Sequence, residues 1–198
     1  KNNTIVGNSG GPTVSLGKSS GANAPVFSYN NIYGNSGTYE WENRNAVGSA
    51  NLNVENNYWG TSDASVIANK VYDRHDNDSL SYVAYDPFES AIITSSPIAP
   101  PTYVVKEDTD AGVKISWTAS GESDVAGYKI HYGSATGYSY ATVVDAGNVT
   151  SHEISGLDFS EEVSVTAYDG NADGSVDQVE GYQSWFVVSG NPAAGISL

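Results

Sequence analysis

The side chains best able to do chemistry in this 198-residue chain are the oxygen donors Asp169, Asn171, Asp173, Ser175, Asp177 and Glu180. They occupy the first, third, fifth, seventh, ninth and twelfth places of one twelve-residue stretch. In that spacing the side chains of the first three, the backbone carbonyl of the seventh and a bidentate carboxylate at the twelfth can surround a calcium ion. The ninth contributes directly or through water. Gly174 stands at the sixth place, where the loop must turn sharply, and Val176 supplies an apolar residue at the eighth. The spacing predicts one Ca2+ site. A plain acidic turn explains the same residue types without an ion.

Little else in the chain points to catalysis. With no cysteine there is no thiol nucleophile, disulfide framework or Cys-based metal site. No nucleophile elbow, phosphate loop, dinucleotide fingerprint or His-Glu-x-x-His pattern occurs. His75, His131 and His152 are scattered and read as surface or packing histidines. The bases of the first half that could neutralise a uronate or take its proton are Arg44, Lys70, Arg74 and His75. Glu40 with Glu42, or Asp73 with Asp76, could serve as a glycosidase pair only at a separation of ~5–9.5 Å. Solvated acids on a loop and a capping turn explain them more simply. No catalytic residue and no cofactor besides Ca2+ is expected.

The formal net charge is −15, from 23 acids and 8 bases. A phosphate-binding surface needs clustered bases, so nucleic acid is excluded as a partner, and anionic membranes equally. No apolar run reaches the ~18 residues that cross a bilayer, so membrane insertion is not expected. The polar surface is mostly uncharged Asn, Ser, Thr, Gly and Tyr, which suits an extracellular or cell-surface protein. Charge is uneven: residues 1–97 hold 5 bases and 9 acids, residues 98–198 hold 3 and 14. Sequons begin at Asn2, Asn77 and Asn148, too short a pattern to decide glycosylation.

What must position these residues begins with a repeat. Asn2-Asn3-Thr4-Ile5-Val6-Gly7, Asn30-Asn31-Ile32-Tyr33-Gly34 and Asn56-Asn57-Tyr58-Trp59-Gly60 share one pattern, with second asparagines 28 and 26 residues apart. A period of that size signals stacked coils, here a right-handed parallel β-helix whose corners use Asn and Gly. Asparagines at matching places can hydrogen-bond amide to amide along the stack. Residues 15–25 and 38–49 read as longer loops, the second carrying Trp41, folded over the coil wall or offered as a sugar-stacking surface. After Ser62 and Asp63, either of which can cap it, a short helix is expected through Val66, Ile67 and Val71.

The run from Asn56 through Thr61, then Val66 to Asp73, Asp76-Asn77-Asp78 and Val83 to Phe88, resembles the closing segment of pectate-lyase-like β-helix proteins over residues 1–90. The resemblance implies a cap over the last coil, secretion and, often, polysaccharide as substrate or scaffold. It does not make this end catalytic.

Residues 95–101, with three prolines, read as a semi-rigid extended linker. Beyond it, strands are expected at 103–106, 113–118, 128–132, 141–144, 151–154, 163–168 and 183–188, a seven-stranded sandwich. Lys114-Ile115-Ser116-Trp117, the run from Ser123 to Gly133, Gly156-Leu157 and the run from Val165 to Asp169 resemble a bacterial fibronectin type III domain. The resemblance makes Trp117 the core tryptophan and puts Tyr128, Ile130 and Tyr132 on one face. Glu161-Glu162 replaces the family's corner tyrosine, with Phe159 available to fill its space.

The expected architecture is therefore all-β: β-helix coils and cap at 1–94, linker at 95–101, a fibronectin-like domain at 102–190, and the start of a further linker or tail at 191–198. The chain opens inside a coil motif with no initiating Met, so it reads as the carboxy-terminal part of a larger modular protein with a structural or adhesive role. Expected partners are upstream coils of the same polypeptide or another protein chain, and polysaccharide. Two alternatives stand beside it. One is an accessory region of a polysaccharide lyase or hydrolase whose active site lies upstream; the other is a subunit of an extracellular layer or filament.

Overall fold

The computed structural model describes residues 1–17, 25–133, 138–174 and 177–190. It is all-β with very little helix, and divides into two compact units, Lys1–Ser96 and Pro97–Leu198. The expected tail at 191–198 and most of the expected 15–25 loop lie outside the described residues.

In the first unit β1 (Thr4–Val6) pairs in parallel with β3 (Asn31–Tyr33), and Asn31 in turn bridges Tyr58. A second parallel set runs β2 (Val14–Leu16), β4 (Trp41–Asn43), β6 (Val71–Tyr72). A third runs Val26, β5 (Leu52–Asn53), β7 (Val83–Ala84). Thr4 faces Asn31 and Val14 faces Trp41, each 27 residues on. Trp41 faces Val71 and Leu52 faces Val83, at 30 and 31. The longer return accommodates α1 (Ala64–Ala68), whose Asp63 cap accepts from the Ser65 and Val66 amides. The helix is shorter than expected, because Val71 is recruited into the sheet as β6.

The asparagine stack exists, in a register the sequence did not suggest. Asn3, Asn30 and Asn57 line up, rather than Asn3, Asn31 and Asn57, so the period is a uniform 27 residues. Both the backbone N–H and Nδ2 of Asn3 donate to Asn30 Oδ1, at 3.1 and 2.8 Å. Asn30 donates in the same way to Asn57 Oδ1, at 2.9 and 2.8 Å. Asn57 Nδ2 closes the ladder on the Phe27 and Val54 carbonyls. Asn8 and Asn35 form a second rung pair at the same spacing. The corner just before each rung is left-handed: Asn2, Tyr29 and Asn56 have φ of 56°, 58° and 58°. Asn adopts that conformation at low cost, whereas Tyr29 is held there by its neighbours.

Trp41 corrects the expectation of a loop at 38–49. It lies in the central strand of the second parallel set, 2% exposed, in a core with Ile32, Leu52, Val54, Trp59, Ile67, Val71 and Val83. The strand alternates Trp41 in, Glu42 out, Asn43 in, and two flanking acids disguised that period in the sequence.

The second unit has two antiparallel sheets around one core. One sheet is ordered β12 (Ser151–Ser155), β9 (Gly112–Thr118), β8 (Thr102–Thr109). The other is β11 (Thr142–Gly147), β10 (Val125–Tyr132), β13 (Val163–Asp169), β14 (Val187–Val188). Trp117 and Tyr128 are buried with ring centroids 5.3 Å apart, beside Ile115, Ile130, Val163 and Val165. Tyr132 packs against that core from its edge. Phe159 does not fill the space of the missing corner tyrosine. It is exposed beneath the Lys106 ammonium, which donates to the Phe159 and Glu161 carbonyls at 2.6 and 2.7 Å, while Leu157 packs on the core.

Replacing Asn30 with Ala removes the acceptor of both Asn3 donors and leaves the buried Asn57 Oδ1 with the residue-30 amide alone. Asn30→Ala should destabilise the first unit by about 2–4 kcal/mol, and Asn8→Ala at the exposed pair by less than about 1 kcal/mol. Urea unfolding followed at the buried Trp41 and Trp59 measures both.

Candidate functional site

The acidic loop leaves the end of β13. Asp169 is 2% exposed; its Oδ1 accepts the Asn171 amide at 2.8 Å and its Oδ2 accepts Asn171 Nδ2 at 3.4 Å. Gly174 takes φ +88°, the left-handed turn the sixth place requires. A strand enters the loop as expected, and Asp177–Glu180 forms a helical turn, α2, before the chain reaches the strand expected at 183–188. Helix wins there because Asp177, Gln178 and Glu180 have no apolar alternation for a strand to bury. Ser175, and the side chain of Asp177, lie outside the described residues. Asp173 and Glu180 are exposed. Among the described residues no three His, Asp or Glu side chains converge on a point that could hold a metal ion.

In the first unit the acids proposed as a glycosidase pair are put to different uses. Glu40 is buried, against the expectation of a solvated loop acid, and bonds Asn35 Nδ2 at 2.8 Å and Lys70 Nζ at 3.4 Å. Lys70 also donates to the Trp59 carbonyl. Glu42 faces outward; the Arg44 guanidinium at 2.7 Å, with help from Ser15, holds its carboxyl below the usual range. Asp73 is at the turn expected but buried rather than solvated, accepting from the His75 amide, His75 Nδ1 and the Val83 amide. Arg74 lies over the Tyr82 ring. These groups tie the chain to itself rather than converging on an open cleft.

His131 has a displaced titration. It is 6% exposed, and its Nε2 lies 2.9 Å from Thr166 Oγ1, which also accepts Gln183 Nε2 at 2.9 Å. Burial, reinforced by the Lys129 charge, pushes its pKa down to about 4. His131 is thus a neutral packing group, not a proton carrier near neutral pH.

Sequence reasoning missed the rings around it. Tyr138, Tyr140, Trp185 and Phe186 gather beside His131 from two separate segments. The strand expected at 183–188 is broken there: Gln183 bridges Tyr168, but regular pairing resumes only at Val187. The signal available was the local aromatic pairs Tyr138/Tyr140 and Trp185/Phe186, whose meeting depends on the fold.

Searches against protein-family models, curated proteins and solved structures found no match to this chain.

Because His131 titrates lower in the folded chain than in the unfolded one, the unfolded state binds its proton first. Stability of the second unit should therefore fall as pH drops from about 6.5 to about 4, by up to about 3 kcal/mol. Denaturation at stepped pH should show a shallower decline in His131→Asn over that window.

Proposed function

We propose that this chain is a structural, adhesive part of a secreted or cell-surface modular protein, joining the end of a right-handed parallel β-helix to a fibronectin type III-like domain. Three parallel strand sets with returns of 27, then 30 and 31 residues support the first half of that reading. Two antiparallel sheets with strand orders β12-β9-β8 and β11-β10-β13-β14 around Trp117 support the second.

One observation carries the role. β1 and β2 each have a strand neighbour on one side only, and among the described residues nothing pairs on the other. An unpaired parallel edge is a template for another strand. Its partner is a coil, supplied by the same polypeptide or by another chain. Asn3 lies at the outer end of the ladder, where a matching asparagine of such a coil would add the next rung. The accessory-region alternative uses the same edge to hold upstream coils, and the filament alternative uses it between copies.

Sedimentation of the chain alone should show concentration-dependent association through this edge, suppressed by Ile5→Lys, which puts a charge on β1. A monodisperse monomer whose β1 and β2 amides resist hydrogen exchange as well as those of β3 and β4 would sink this role.

The calcium reading is part of the proposal for the second unit. Asp169, Asn171, Asp173 and Glu180, with the Ser175 carbonyl and Asp177 assigned by spacing, would hold the ion, and the left-handed Gly174 fits the turn. The Asn171 side chain, which now donates to Asp169, would have to turn its oxygen inward. A weak extracellular-type site, ~10⁻⁴–10⁻³ M, is expected. Calorimetric titration should give a Ca2+ response and a raised melting temperature in the wild type, both lost in Asp173→Ala. Equal and negligible responses would leave a polar turn.

A further inference from the structure

Along β13, Val163, Val165 and Ala167 enter the core, so Ser164 and Thr166 point to the opposite face. They are nevertheless fully buried, and so nearly is His131, which stands opposite Ser164 on β10. What covers them is a layer of aromatic rings. Phe186 meets His131 edge-on at 4.9 Å, and Tyr140 lies 5.7 Å from the same imidazole. Tyr138 stacks on Phe186 at 5.4 Å with ring planes 8° apart. Trp185 stands 5.3 Å from Tyr138 at 64°, so the two outermost rings form an open corner. Trp185 is 59% exposed and Tyr138 48%.

The layer is held rigidly from below. The Tyr140 hydroxyl bonds Ser164 Oγ and donates to Glu162 Oε1 at 3.3 Å. Ser184 exchanges bonds with Ala167, its Oγ accepting the Ala167 amide at 2.9 Å and its amide donating to the Ala167 carbonyl at 2.8 Å. The same Oγ donates to the Trp185 carbonyl, and Gln178 Nε2 donates to the Ser184 carbonyl. Tyr138 takes φ +64°, a conformation a bulky side chain adopts only when its surroundings impose it. Two large rings are thus kept in water by strain and anchoring, although folding them down would remove apolar surface from solvent.

We propose that Trp185 and Tyr138 form a binding platform for an uncharged polysaccharide. A pyranose offers a face of C–H groups to an aromatic ring and hydroxyls at its rim. Here Glu162, which accepts from the Tyr140 hydroxyl of the ring layer, is an exposed acceptor. Burial and the nearby Glu162 carboxylate raise the Tyr140 pKa and keep that hydroxyl protonated. Charge selects against acidic glycans, because 14 acids face 3 bases in residues 98–198 and the Lys129 ammonium is engaged by Gln183 and the Tyr168 ring. Size selects against a protein partner: two exposed rings fall far short of the ~800 Å² per side of a stable protein interface. The platform gives the adhesive reading a ligand, and rests on that reading only for its choice of polymer.

The test uses the whole chain, in electrophoresis through gels containing soluble neutral polysaccharides (hydroxyethyl cellulose, xyloglucan, galactomannan), with polygalacturonate and a polyproline peptide as competitors. Trp41, Trp59 and Trp117 are at most 5% exposed, so protection of tryptophan fluorescence from a soluble quencher reports on Trp185. Wild type should be retarded by at least one neutral polymer and its fluorescence protected. Trp185→Ala and Tyr138→Ala should each weaken binding about tenfold or more, the scale of losing one aromatic anchor. Tyr103→Ala, at an equally exposed ring on β8, should bind as wild type, and circular dichroism confirms that each variant folds. Binding only to polygalacturonate, only to the polyproline peptide or to nothing overturns the proposal. So does neutral-glycan binding that survives both platform variants, an outcome that leaves the adhesive reading intact.

Discussion

The first unit depends on satisfying backbone polar groups at a corner that turns inside the protein. A strand as short as three residues offers few ladder bonds, and the turn between strands would leave buried amides without partners. Asn30 resolves this by serving its own corner and its neighbour's at once. Its Oδ1 takes two donors from Asn3, and its amide and Nδ2 give two to Asn57. Remove that exchange and the parallel pairing of β1 with β3 loses the corner that sets its register. The apolar filling of Ile32, Leu52, Val54 and Trp59 is non-directional, and would tolerate a slip that the amide ladder does not.

The same arrangement has an open end. Asn3 donates to Asn30 and Asn30 to Asn57, so each of these corners is completed by the next, and among the described residues β1 has a strand neighbour on one side only. Where elements contact mainly their neighbours, stability accumulates from one to the next.

The second unit divides its labour between the faces of one sheet. The inner face of β10 and β13 is aliphatic and closes on Trp117. The outer face buries a histidine and two hydroxyls beneath rings that reach solvent. The buried polar groups are paired with one another, so the layer above them rests on a firm floor. Beside the acid pair Glu161-Glu162, Lys106 gathers two carbonyls under one ammonium.

Much of this was legible without coordinates, because period and residue type are local properties. The recurrence of Asn-Asn and Gly marked the corners, alternating apolar residues marked β9, β10 and β13, and Asp63 marked the helix start. The misreadings were at places where a distant partner decides. Trp41 between two glutamates reads as a loop until Val14 and Val71 are found on either side of it. Glu40 reads as solvated until Lys70, thirty residues on, is brought beside it. The ladder's register shifted by one asparagine because Asn30 and Asn31 are chemically identical and only stacking distinguishes them. Asn31 instead bonds the backbone of Ile93. By itself, then, the sequence determined the all-β character, the repeat and the oxygen-rich loop, each encoded in neighbouring residues. Tertiary structure alone decided which asparagines stack, which acids are buried and that Tyr138 meets Trp185, because those contacts join residues dozens of positions apart.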